Sequence, residues 1–285
     1  MSYVLTLIAN PDKQQITLDE IQSVLGNYDI VCLSPNEAYD IITDDVINLA
    51  ELKSKLPHVD TILQQQKDRR KKLLIADMDS TIVTGETLDD LAEFAGIKEQ
   101  VAAITERAMN GEIQFRDALT ERVQMLKGLS ATFLEEAMKM VILTPGAKEL
   151  VATMKANGAY CALVSGGFTF FTARVAQQVG FDFNAGNTME IVEGILTGNV
   201  VEPIVTKDSK LSYLKSLCHE QNITTDHAVA VGDGANDLPM ILEAGLGIAY
   251  HAKPSVVAKA KHNIQNGDLR SLLFAQGYKA DEIVV

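Results

Sequence analysis

Cysteine, basic residues and long apolar runs are all scarce in this sequence. The three cysteines, Cys32, Cys161 and Cys218, lie far apart and match no paired spacing, which argues against a disulfide framework or a cysteine metal site and indicates reduced structural thiols. Acidic residues outnumber basic ones by 38 to 25, and the net charge of −13 argues against binding to nucleic acid or an anionic membrane. Every apolar run is far shorter than the roughly 20 residues that cross a bilayer.

The start of the chain also lacks the features of an export signal. Its first residues, MSYVLTLIANPDK, contain neither a basic leading region nor a small-residue cleavage site. The sequence therefore predicts a compact cytoplasmic protein, and its 47% apolar content supplies a buried core. Because a strongly acidic protein repels an anionic substrate, local cations must reverse the field at any site that binds one.

Residues 1 to about 72 have the pattern of a small α+β domain. Apolar and amphipathic segments alternate there, which predicts strands at 3–8, 29–33 and 39–42 and helices at 17–25 and 48–56. The run KDRRKK at 67–72 is short and contains an aspartate. We interpret it as a solvated linker to the next domain.

From residue 73 to 285 the pattern predicts an α/β domain. Short apolar runs alternate with amphipathic helices, as in a parallel, Rossmann-like sheet with helices on both faces; the candidate strands are 73–77, 160–165, 181–185, 228–233 and 246–249. The segment between the first two strands is far longer than an ordinary crossover and almost entirely helical in pattern, so we expect an inserted helical cap at about 86–143. Thr87 is the predicted N-cap of its first helix, and Glu193-Gly194 predicts a hairpin at 188–201.

Two carboxylates stand at the predicted end of the first core strand, in DMDSTIVTGET. The carboxyl ends of parallel strands line the ligand crevice, so Asp77 and Asp79 should emerge there. Two neighbouring acids resist joint ionisation, which indicates either a hard metal ion or a division of acid and base roles. Taken alone, a strand end with turn-forming residues explains the pair about as well.

Three further clusters follow in the chain. VSGG places Ser165 and two glycines ahead of a helix, where a hydroxyl and backbone amides bind anions. VGDGANDLPM places Asp233, Asn236 and Asp237 after the fourth strand, and TKDSKLSYLK contains Lys210. Each cluster alone has a plain structural explanation: chain reversal, helix capping and a surface lysine. Their combination carries more weight than any member.

In this order, DMDST, VSGG, Lys210 and GDGAND resemble the four motifs of haloacid dehalogenase (HAD) phosphotransferases. More narrowly, these motifs together with GEIQF and ERVQMLKGL in the cap resemble the phosphoserine phosphatase family along essentially the whole of residues 73 to 270. The resemblance implies a central first strand. It also implies Mg²⁺-dependent hydrolysis of a small molecule, O-phospho-L-serine, through an aspartyl-phosphate, the last step of serine biosynthesis.

The resemblance further implies roles for the matching residues. Asp77 is the nucleophile, Asp79 is the general acid and base, and Mg²⁺ is held by Asp77, the backbone carbonyl of Asp79 and Asp233. The residues that would bind phosphate or place substrate and water are Ser165, Gly166, Lys210 and Asn236.

Substrate choice is expected to lie in the cap. Glu86 and Arg122 match the family positions that hold the ammonium and carboxylate groups of the substrate. A glutamate that favours the adjacent helix terminus and a solvated arginine are the alternatives that stay open.

Two other functions compete with phosphoserine hydrolysis. One is hydrolysis of another small phosphomonoester, or transfer of the phosphoryl group to a second alcohol. The other is a ligand-binding regulator that retains an inactive hydrolase fold. The N-terminal domain vaguely resembles the amino-acid-sensing ACT type, which suggests regulation or a homodimer formed through that domain.

Overall fold

The computed structural model of the chain describes residues 2–26, 28–44, 47–109 and 112–285. Its N-terminal part is an antiparallel sheet with two helices, in the order β1 (Tyr3–Ala9), α1 (Leu18–Leu25), β2 (Asp29–Ser34), β3 (Ala38–Thr43), α2 (Leu49–Lys55) and β4 (Val59–Gln65). Across the sheet the strands are ordered β2-β3-β1-β4. Thr17 and Asn48 are the N-caps of the two helices. The side-chain oxygen of each accepts the backbone N–H of the residue three positions later, which is the usual N-cap arrangement.

A larger sheet of seven strands follows: β5 (Leu73–Ala76), β6 (Tyr160–Phe168), β7 (Phe183–Val192), β8 (Ile195–Val201), β9 (Ala228–Gly232), β10 (Leu246–Tyr250) and β11 (His262–Ile264). Their order is β11-β10-β9-β5-β6-β7-β8, and the pairs are parallel except for β7 with β8. Leu74 and Ala76 of β5 pack in one apolar cluster and Leu73 and Ile75 in another. The sheet is therefore covered on both faces, and β5 is central, as predicted.

The third predicted core strand is longer than the sequence indicated. Strand β7 begins as a parallel partner of β6 and continues into an antiparallel pair with β8. Glu193 and Gly194 join β7 to β8 with positive φ values of 50° and 80°, which suits the twist of a tight hairpin. One strand thus contains two segments that the sequence predicts separately, because its first half pairs with β6 and its second half with β8.

The predicted inserted cap lies between β5 and the helix that precedes β6, and its described helices are α3 (Thr87–Phe94), α4 (Lys98–Met109), α5 (Phe115–Gln124) and α6 (Thr132–Met140). The cap enters and leaves the sheet at one point, where Val83 and Leu143 form an antiparallel bridge. The remaining helices are α7 (Ala147–Ala156), α8 (Thr169–Val179), α9 (Lys207–Glu220), α10 (Leu238–Glu243), α11 (Pro254–Val257) and α12 (Ser271–Ala275). None of the helices that the structure describes combines the length and apolarity that a bilayer span requires.

The basic run at 67–72 joins β4 to β5 and is mostly exposed, but Arg69 within it is not solvated. The Arg69 side chain is only 11% exposed; its guanidinium donates to both carboxylate oxygens of Asp40 at 2.6 and 3.1 Å, to the Thr6 hydroxyl at 3.0 Å and to the Ala275 carbonyl at 3.1 Å. Arg70 pairs with Glu282. Arg69 therefore joins the N-terminal sheet to the C-terminal part of the chain, because it donates to Thr6 and Asp40 in the sheet and to Ala275 in helix α12.

Strand β4, absent from the sequence prediction, forms the rest of this contact. It lies against β11, the edge strand of the larger sheet, and it is buried on both faces. The carboxylate of Asp60 accepts the backbone N–H groups of Gln265, Asn266 and Gly267, each at 2.9 Å. Polar residues such as Asp60 are therefore buried, and β4 lacks the apolar–polar alternation that marks a half-buried strand.

Candidate active site

The carboxylate of Asp77 lies at the carboxyl end of central strand β5. The backbone N–H of Asp77 donates to Val231 of neighbouring strand β9 at 3.0 Å, which continues the sheet pairing to this residue. Its buried side chain lies 2.8 Å from the ammonium nitrogen of Lys210. The predicted nucleophile is thus held by the sheet and ion-paired inside the protein.

Lys210 is a fully buried lysine of helix α9, so the surface-lysine alternative does not apply. Its side chain is 1% exposed and its Nζ lies 2.8 Å from Asp77 and 2.5 Å from Asp237. Burial alone would lower the pKa of an ammonium group, but the two carboxylates outweigh it and raise the pKa of Lys210. The lysine is therefore a fixed positive charge beneath the site.

Asp79 follows Asp77 in a tight turn and is held at both carboxylate oxygens. Its Oδ1 accepts the backbone N–H of Thr87 at 3.0 Å, and its Oδ2 accepts the Ser165 hydroxyl at 3.4 Å. Burial and the charges of Glu86 and Asp77 raise the pKa of Asp79 to about 7. The prediction that Thr87 caps helix α3 is wrong: Thr87 is the first helical residue, Glu86 is the N-cap, and the carboxylate of Asp79 accepts the exposed N–H.

Asp233 and Asp237 complete a group of three carboxylates with Asp77. One carboxylate oxygen from each of the three lies within 4.8 Å of the others. Burial and the charges of Asp77 and Glu86 raise the pKa of Asp233 to about 7, and burial and Asp77 raise the pKa of Asp237. Concentrated negative charge thus opposes ionisation of the group.

This carboxylate group fits a hard divalent cation. All three residues offer oxygen atoms, the donors that such cations prefer, and Lys210 supplies one positive charge beside three carboxylates that lie within 4.8 Å of one another. The predicted contribution of Asp79 is a backbone carbonyl, and it stays a prediction.

Asp237 is a site residue to which the sequence assigned no role. It is fully buried, ion-paired with Lys210, and accepts the Gly234 N–H at 3.0 Å. Its position four residues after Asp233, next to a predicted helix, is typical of a helix cap. A buried lysine nearby needs a second acid for charge balance, but burial of Lys210 cannot be read from the sequence.

Ser165 and the two glycines after it lie on strand β6, beside Asp79. The Ser165 side chain is 1% exposed and its oxygen accepts the Gly167 N–H at 2.8 Å. A Cβ atom on Gly167 would lie 2.6 Å from Asp79 Oδ2, so only glycine allows this approach. A Cβ on Gly166 would lie 3.3 Å from the ring of Phe115, and this places the start of cap helix α5 over the same backbone.

Glu86 and Arg122 present opposite charges on the cap side. Glu86 Oε1 accepts a hydrogen bond from the hydroxyl of Ser80 at 2.7 Å. Partial burial and the charge of Asp77 raise the pKa of Glu86, although part of its side chain reaches solvent. Arg122 is half-buried and donates to Ala118 O at 3.2 Å and Thr105 Oγ1 at 3.3 Å. Burial lowers the pKa of Arg122 against the nearby charges of Asp89 and Glu86.

Asn236 lies in the loop after β9, half-buried, with its amide oxygen in close contact above Gly234. The structure thus brings Asp77, Asp79, Ser165, Lys210 and Asp233 together at the carboxyl ends of β5, β6 and β9. Glu86 and Arg122 lie on the cap side.

Comparisons with a family model and with known proteins agree on one family. Residues 74–242 match the haloacid dehalogenase-like hydrolase family. A phosphoserine phosphatase of Archaeoglobus fulgidus is 44% identical over 205 residues, 72% of this chain and 60% of its own, and that of Saccharomyces cerevisiae is 35% identical over 302 residues, 99% of this chain and 98% of its own. The chain therefore spans less than two thirds of the archaeal relative and nearly all of the yeast one.

Among solved structures, a HAD family hydrolase of Salmonella enterica serovar Typhi superposes with a TM-score of 0.84 at 32% identity. The match covers 96% of this chain and 98% of that one. Both sheets therefore have a counterpart in a known structure.

Proposed function

The chain belongs to the phosphoserine phosphatase family of haloacid dehalogenase-like hydrolases, and from that premise we propose that it hydrolyses O-phospho-L-serine to L-serine and phosphate. One observation carries the proposal: two carboxylates two residues apart have different environments. Asp77 is ion-paired with Lys210, whereas the pKa of Asp79 is raised to about 7. Two carboxyl groups whose environments differ in this way can act as a nucleophile and a proton donor.

The reaction has two steps on these side chains. Asp77 forms a bond to phosphorus as the bond to the seryl oxygen breaks, and Asp79 protonates the departing oxygen. Asp79 then takes a proton from the water that attacks the aspartyl-phosphate, which releases phosphate and restores Asp77. General acid and base catalysis of this type contributes roughly 10² to 10⁴ in rate.

Positive charge is needed for the first step. A carboxylate that meets a phosphate dianion at 4 Å is repelled by about 8 kcal/mol at an effective dielectric of 20. Lys210 offsets part of this repulsion from beneath Asp77. We propose that Mg²⁺, held by Asp77, the Asp79 carbonyl and Asp233, supplies the remaining charge neutralisation when it is bound.

The other residues orient the substrate. The Ser165 hydroxyl, which donates to Asp79 Oδ2 at 3.4 Å, would turn to a phosphate oxygen when substrate binds, and the Gly166 amide and Asn236 would contribute further hydrogen bonds. Glu86 and Arg122 would bind the ammonium and carboxylate groups. Phosphoryl transfer depends chiefly on such positioning and electrostatics.

Phosphate release tests the proposal. Wild-type protein should release phosphate from phosphoserine faster than from sugar phosphates, and EDTA should abolish the activity until Mg²⁺ is added. Asp77→Asn should reduce turnover to background with an unchanged melting temperature. Equal rates on sugar phosphates would favour a general phosphatase, and no release from any monoester would favour the ligand-binding alternative.

We further propose that residues 1–72 and 73–285 are separate functional units, with the cap at about 86–143. The N-terminal order of elements and the strand order β2-β3-β1-β4 are consistent with an ACT-like domain. Strand β2 has no partner on its outer side within the described residues, and an open edge favours pairing with the same strand of a second copy.

Exposed Cys32 on β2 provides a test of this homodimer. Oxidation should cross-link the wild-type protein but not Cys32→Ser, because Cys161 and Cys218 are buried. A monomer by light scattering would contradict it. We also expect the enzyme in the cytoplasm, and cell fractionation checks this.

A further inference from the structure

Three hydrogen bonds close the segment between Asp79 and Thr87, where the chain leaves the sheet for the cap. The Thr87 N–H donates to Asp79 Oδ1 at 3.0 Å, the Ser80 N–H donates to Gly85 O at 3.0 Å, and the Ser80 hydroxyl donates to Glu86 Oε1 at 2.7 Å. The third bond differs from the others because it joins two side chains. It ties a residue of the catalytic turn directly to the cap residue assigned to substrate choice.

Glu86 has few other restraints. It occupies the N-cap position of helix α3 but makes no side-chain capping bond, and its side chain reaches solvent. Among the described residues, the Ser80 hydroxyl is the one hydrogen-bond donor to the Glu86 carboxylate. Without it, a glutamate with three rotatable bonds would spread over several rotamers. With it, one carboxylate oxygen is fixed and the other stays free.

The backbone at Ser80 is adapted to this contact. Ser80 has φ 54° and ψ 8°, in the left-handed region that is uncommon for residues other than glycine, asparagine and aspartate. Its N–H bond to Gly85 holds this conformation. Glycine would adopt the same backbone more easily, but it has no hydroxyl to offer Glu86.

We propose that Ser80 is a positioning residue that fixes the Glu86 carboxylate for the ammonium group of the substrate, and so sets the preference for amine-bearing phosphomonoesters. The proposal rests on the function proposed above, which assigns the ammonium group to Glu86. Ser80 does not touch the substrate. It acts by keeping one rotamer of Glu86 populated before the substrate arrives, which reduces the entropy lost on binding.

The test compares small phosphomonoesters that carry or lack the ammonium group. Phosphoserine and O-phosphoethanolamine have the ammonium group, whereas phosphoglycolate has a carboxylate without it. Ser80→Ala and Ser80→Gly both remove the hydroxyl, and the glycine variant also removes the backbone strain. Both should lower kcat/KM for the two amines about tenfold, mainly through KM, and change kcat/KM for phosphoglycolate less than threefold.

Two controls make the result specific. Ser216→Ala removes an exposed hydroxyl on helix α9 and should leave all three substrates unchanged. In a Glu86→Ala background, Ser80→Ala should have no further effect on the amines, because the two residues act through one interaction. Equal loss on all three substrates in both Ser80 variants, with a selective Glu86→Ala, would overturn the role of Ser80 alone. An unselective Glu86→Ala would overturn the assignment of Glu86, and this proposal with it.

Discussion

Replacing Asp60 with alanine should separate the stability of the two sheets. Asp60 is 4% exposed, and its carboxylate accepts three backbone N–H groups of residues 265–267 at 2.9 Å each. Hydrogen bonds to charged groups contribute about 1.5 to 3 kcal/mol each, so three give roughly 4.5 to 9 kcal/mol. Bonds to one carboxylate are not additive and water enters the gap, so we expect a loss of about 3 to 5 kcal/mol.

Urea unfolding measures this loss. Asp60→Ala and Asp60→Asn can be compared with Asp29→Ala, a matched control at an exposed position of the same sheet. Asparagine keeps one acceptor oxygen and should lie between alanine and the wild type. In Asp60→Ala the N-terminal sheet should unfold in a separate earlier transition, because β4 no longer holds the loop after β11. A loss below about 1 kcal/mol in Asp60→Ala would show that the Asp60 carboxylate contributes little to joining the sheets.

Three other predictions follow from the described contacts. Burial, with Lys261 and Lys53, lowers the pKa of His262 to about 4; the folded state thus resists protonation, and stability is lost as the pH falls from about 6.5 to 4. His262→Gln should unfold with a shallower pH dependence in that window, and a parallel curve would contradict this. Gly167→Ala should lower kcat about 100-fold with little change in melting temperature, because its Cβ would displace the Asp79 carboxylate; wild-type kcat would refute that geometry. Lys210→Met should destabilise the EDTA-treated protein by about 3 to 5 kcal/mol in urea, and Mg²⁺ should restore part of the loss; no response to Mg²⁺ would argue against the cation site.

The core of the larger sheet could be predicted because its signals are local. Strands such as β5 and β9 are short, fully apolar and followed at once by Asp77 and Asp233. The order of strands then brings both acids to one edge of the sheet. The cap could also be predicted, because the segment between the first two core strands is too long for an ordinary crossover and is helical in pattern.

Other features depend on partners that the sequence does not identify. Arg69 and Lys210 look like solvent-exposed basic residues until the fold places acids beside them. Strand β4 has a mixed composition because its polar side chains bond to the loop after β11 and to helix α12, about two hundred residues further along the chain. Asp237 has the local signature of a helix cap, and only the buried ammonium group beside it shows a different role.

The single point of entry of the cap also bears on how such a chain changes over evolutionary time. Val83 and Leu143 are bridged, and the backbone N–H groups of Thr84 and Thr144 add bonds on either side. Because the two ends of the insertion meet at this bridge, the entropic cost of closing the insertion depends only weakly on its length. A shorter, longer or unrelated insertion could therefore occupy the same attachment while Asp77 keeps its place at the end of β5. Under the proposed function, the cap could then change the substrate range while the sheet retains the nucleophile.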